Sequence, residues 1–163
     1  MKRTAQAAQW VAAATVAAAL SACAAVPAVA PTPTPADGPL PFVTLDKSTT
    51  SRIDAPRTVV VRDAQAWQRL WAEHAGADAA PPQVDFAARM VVGVFLGTRS
   101  SGCHGTEIAG IAVAGGRIRV QEIDKVPGPT VRCMMMLTAP AHLVATTRSD
   151  LPVEFATETV ELK

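Results

Sequence analysis

Six prolines crowd one short stretch of this chain, at positions 27, 31, 33, 35, 39 and 41. Proline fixes its own φ and has no N–H to donate, so residues 24–41 (AAVPAVAPTPTPADGPLP) cannot continue a helix or sit in a central strand. The stretch reads as an extended, polyproline-like spacer, reaching on the order of 50 Å at about 3.1 Å per residue. A folded domain has to come from the C-terminal side of the spacer, where residues 42–163 are the right length for one.

The spacer has a source on its N-terminal side. Lys2 and Arg3 open the chain, and an apolar run from Trp10 to Leu20 comes next, too short to cross a bilayer comfortably as a helix. Leu20-Ser21-Ala22-Cys23 then resembles the lipobox of bacterial lipoproteins. That resemblance implies a signal peptide over residues 1–22, cleavage before Cys23 and lipidation of its thiol. Residues 23–41 become a tether, and the protein is placed in a bacterial cell envelope. Ala24, where an inner-membrane lipoprotein would carry Asp, points to the outer membrane. An ordinary secretory signal cut nearer Ala30 is the competing reading. Formal net charge is +1, or −1 once Lys2 and Arg3 are removed. Such a balance gives no footprint for nucleic acid and no polybasic patch for anionic lipid, so membrane attachment falls to the acyl chains.

Beyond Phe42 the chain breaks into short apolar runs. Arg57–Arg62 (RTVVVR) is β-branched and predicts a strand. Asp63 is placed to cap a helix over Ala64 to His74, with Trp67, Leu70, Trp71 and His74 on one face. Met90–Leu96 (MVVGVFL) is continuously apolar, as expected of a strand covered on both faces. Glu107–Val113 and Arg117–Ile123 flank Ala114-Gly115-Gly116 as a hairpin. Further strands are expected over Val131–Thr138, His142–Thr147 and from Val153 onward. The pattern predicts an α+β fold, a mainly antiparallel β-sheet or sandwich of six or seven strands with one amphipathic helix packed on it.

With Cys23 acylated, Cys103 and Cys133 remain, and a pair of cysteines in an oxidising compartment favours a disulfide. Two alternatives stay open: a nucleophilic Cys103, and a soft-metal site built from these cysteines, His104 and Met134-Met135-Met136. On the predicted strand, Met134 and Met136 would face one way and Met135 the other, which argues against the metal. His74 and His142 read as structural. No GxSxG, Walker, HExxH or GxGxxG motif is present, so no enzyme, cofactor or resident metal is expected.

Residues 57–155 carry a resemblance. The segments RTVVVRDAQAWQRLWAEH, VDFAARMVVGVFLGTRSSGCHGTEIAGI and LTAPAHLVATTRSDLPVEF resemble the C-terminal domain of the protease complex subunit PrcB. Gly102-Cys103-His104 and Pro140-Ala141 depart from that family's pattern, which has aromatic residues at both places. The resemblance implies a non-catalytic lipoprotein that binds or stabilises a partner protein, a protease in the family's case. The Gly- and Ser-rich loop at 98–105, pinned by Cys103, is the natural candidate for contact, with Ser100, Ser101, Gly102 and His104 as its partner-facing residues. An inhibitor-like module presenting that loop, or a metal- or redox-handling domain using Cys103 and Cys133, are the alternatives.

Overall fold

β4 (Arg89–Phe95) is the hinge of the architecture, because its two faces feed two different cores. The computed structural model describes residues 36–163, and the leader, Cys23 and most of the tether lie outside them. One sheet runs β2-β7-β4-β3, with β2 Phe42–Ser48, β3 Arg57–Val61 and β7 Ala141–Thr147. All its pairings are antiparallel. A second sheet runs β1-β5-β6-β8, with β1 Gly38–Pro39, β5 Gly105–Ala114, β6 Arg117–Pro127 and β8 Val153–Leu162. Only β6–β8 is parallel there.

Strand side chains alternate, and on β4 the alternation separates the cores. Met90, Val92 and Val94 join Ile108, Ile111, Val113, Ile118, Val120 and Val144 between the two sheets. Val91 and Phe95 join Trp67, Leu70, Trp71 and Leu143 beneath the helix. The β2-β7-β4-β3 sheet is thus a middle layer, covered by the other sheet on one side and by α1 (Ala64–Ala75) on the other. Gly93 belongs to this tight packing: a Cβ there would come within 2.5 Å of Leu143 Cδ2.

Local signals read from the sequence hold. Asp63 caps α1 by accepting from the Ala66 N–H at 2.7 Å, and the buried face is Trp67, Leu70, Trp71 and His74. The β5–β6 hairpin closes on Gly115-Gly116, both at positive φ (59° and 72°), as a two-residue turn matched to strand twist requires. Two readings are corrected. The domain begins before residue 42, because Gly38–Pro39 pairs with Ala112–Val113 and the Leu40 N–H donates to Ile111 O. The strand expected over Val131–Thr138 does not form: residues 131–137 are irregular, and only Thr138 and Ala139 make isolated bridges. That run is apolar enough for a strand but lies alongside no partner strand.

Candidate functional site

The two ends of β5 define two poles, about 30 Å apart at roughly 3.3 Å per residue. At one end the chain enters beside the Gly115-Gly116 turn, where Asp37 accepts from the Gly115 N–H. At the other, the loop leaving β4 meets the loop that precedes β7. Cys103 and Cys133 join them as a disulfide with Cα atoms 5.6 Å apart, across a sequence separation of 30 residues.

The bridge is one of several ties. Arg99 and Thr138 exchange backbone bonds at 2.7 and 2.9 Å, and the Gly102 N–H donates to Met134 O at 3.0 Å. The Thr138 hydroxyl donates to Ser101 O. Gly97, at φ +68°, makes the exit from β4 possible, since a Cβ there would lie 2.4 Å from Asp54 O. These bonds occupy the Arg99 N–H and C=O, the Ser101 C=O and the Gly102 N–H, and Ser101 is turned inward, 6% exposed with its hydroxyl unpartnered. Ser100 and Gly102 stay exposed and His104 is half-buried. Ser101 therefore does not join the surface expected of Ser100, Ser101, Gly102 and His104.

The other half of the pair is the exposed one. Met134, Met135, Met136 and Leu137 are 74%, 82%, 46% and 77% exposed, four of the six large apolar side chains in the open among the described residues. With no strand beneath them, alternation no longer constrains the methionines, and the geometric objection to their acting together falls. Beside Leu137, a shallow cleft of about 270 Å³ is lined by Thr49, Thr50, Ser51, Asp54 and Thr98.

Ser51 also begins a hydrogen-bonded chain that sequence reasoning missed. His74 Nε2 lies 3.0 Å from Asp46 Oδ2, and its Nδ1 lies 2.9 Å from the Ser51 hydroxyl. A carboxylate can only accept, so Nε2 carries a proton toward Asp46, and when the ring is neutral its Nδ1 accepts from the Ser51 hydroxyl. The order is that of a nucleophilic triad, but the setting is not. His74 is 3% exposed, its ring packed edgewise between Trp71 and Phe95, and Ser51 Oγ already accepts from the Ile53 N–H. The chain clamps β2, the 49–53 segment and α1 together. Its members are 23 and 28 residues apart, beyond any local pattern.

His142 performs a similar service between the sheets. Its Nδ1 accepts from the Ile108 N–H at 2.8 Å, beside the bulge between Ile108 and Gly110, and its Nε2 sits 2.9 Å from the Thr44 hydroxyl. Both bonds suit the neutral ring. Burial lowers its pKa, Lys47 adds to that, and Glu107 and Asp46 partly oppose it. Close by, Glu107 bonds Lys125 at 2.7 Å and Lys47 at 3.0 Å, and these partners lower its pKa to about 2.

The described residues thus define a two-sheet α+β domain with a disulfide-stapled pair of loops at one pole. No family model matches the chain, and neither a curated protein nor a solved structure matches it.

Proposed function

We propose that this is a non-catalytic, lipid-anchored envelope protein that holds a partner protein against its stapled pole. The observation that carries the reading is the exposure of Met134, Met135 and Leu137 on a loop fixed by a covalent bridge. Contiguous exposed apolar side chains mark contact surfaces. Methionine adapts its shape to what it meets, and a loop already pinned loses less entropy on binding. The likeness of residues 57–155 to the PrcB C-terminal domain makes an envelope protease the partner to try first.

A second reading has its own support. In an inhibitor-like module presenting the 98–105 loop, the exposed 131–137 segment bonded to it would be presented alongside. Affinity capture from envelope extract with wild type and with Met134→Asp/Met135→Asp tests the docking surface. Loss of one defined partner with the variant supports it, and equal recovery refutes it. Inhibition of the captured protease by the purified chain separates the second reading from the first. Metabolic labelling with a fatty-acid analogue tests the anchor: label should be abolished by Cys23→Ala.

A further inference from the structure

Packing accounts for nearly every large side chain in this domain, but not for a small group around the bridge. Met134 lies largely in solvent and Met136 is 46% exposed. Across the disulfide, His104 Nδ1 is buried with no hydrogen-bond partner. A buried imidazole nitrogen without a partner calls for an explanation, and a bound ion is one of the standard ones. That nitrogen has no hydrogen-bond partner in the protein, so in the neutral ring it can carry a lone pair to give.

The three residues sit on facing halves of the stapled loop pair. Met134 is held through its carbonyl to the Gly102 N–H at 3.0 Å. Met136 Sδ lies only 3.4 Å from where a Cβ on Gly102 would stand, so this thioether folds back over the bare glycine. His104 is two residues along the same loop, directly after the bridged Cys103. We propose that Met134, Met136 and His104 bind one monovalent copper ion.

The donor chemistry selects the metal. Thioether sulfur is soft and favours Cu(I), and imidazole serves copper equally well. Among the described residues no group of three or more His, Cys, Asp or Glu is gathered, so the donors suited to harder divalent ions are not assembled. The cysteines do not compete, because both are consumed in the disulfide. In an oxidising compartment that matters: a thiolate site would be lost to oxidation, whereas neutral thioether and imidazole donors persist there. Met135, the most exposed of the three methionines, is left out of the set.

The full chain, purified with its disulfide intact, should draw copper from the Cu(I)–bicinchoninate complex to one ion per chain. Met134→Leu/Met136→Leu keeps volume and apolarity, so it leaves an apolar docking surface in place while removing the sulfur. That variant and His104→Ala should each weaken copper transfer by about tenfold or more. Silver(I) should shift the methyl resonances of Met134 and Met136 and leave that of the fully buried Met90 in place. Copper left on bicinchoninate by the wild type, or taken up undiminished by either variant, overturns the site.

Discussion

Met90–Leu96 (MVVGVFL) and Val131–Leu137 (VRCMMML) are both seven-residue runs, apolar but for Arg132 in the second, and they have opposite fates. The first is the central strand β4, paired on both edges and covered on both faces. The second is an unpaired loop with its methionines in solvent. Apolarity does not separate them. β-Branched content does, since three valines favour the pleated conformation while flexible methionines carry little such preference. A disulfide and a backbone bond then hold the second run in place without a ladder. An apolar run that the fold leaves uncovered is the strongest pointer to function this chain offers.

The comparison can be broken by mutation. Leu143 packs on the helix side of β7 and is fully buried, so Leu143→Ala should cost about 2–5 kcal/mol, read from denaturant unfolding. A cost below about 1 kcal/mol would show the middle layer to be far looser than described. Opening the staple with Cys103→Ser/Cys133→Ser should cost roughly 3–4 kcal/mol on the chain-entropy model for a bridge of this span. Unchanged stability would mean that the unfolded chain gains no freedom without the bridge.

A smaller effect is expected from acid. The folded-state pKa of His142 lies below the unfolded value of 6.5, so the unfolded chain takes up the proton first. Its contribution to stability is fully present above pH 6.5 and is lost as pH falls toward the folded pKa. Protonating Nδ1 would remove the acceptor for the Ile108 N–H that joins the sheets. Unfolding measured across this range should show the slope, and His142→Gln should flatten it; an equal slope in the variant would assign it elsewhere. Smallest of all, Met135→Ala should change stability by no more than about 0.5 kcal/mol, because 82% of the residue is already exposed.

The elements legible in the sequence are those with local causes: the Asp63 cap, the Trp67–Trp71 face, the two-glycine turn and the doubly buried β4. β2 is not legible because FVTLDKS has no clean alternation, and a register shift between Thr44 and Asp46 breaks the pattern further. Cys103 and Cys133 can be paired by counting. Which half of the stapled loop faces outward cannot be read that way, because it depends on backbone bonds from Arg99 and Gly102 to residues more than thirty positions away. The Asp46–His74–Ser51 clamp is hidden for the same reason.

Site-specific photo-crosslinking in intact cells tests the central claim most directly. A photoreactive residue at position 135, on the exposed loop, is compared with one at Glu158, exposed on the edge strand β8. The account predicts one discrete crosslinked product from position 135 and none of that mass from 158. A matching product at both positions, or none at 135, would contradict it.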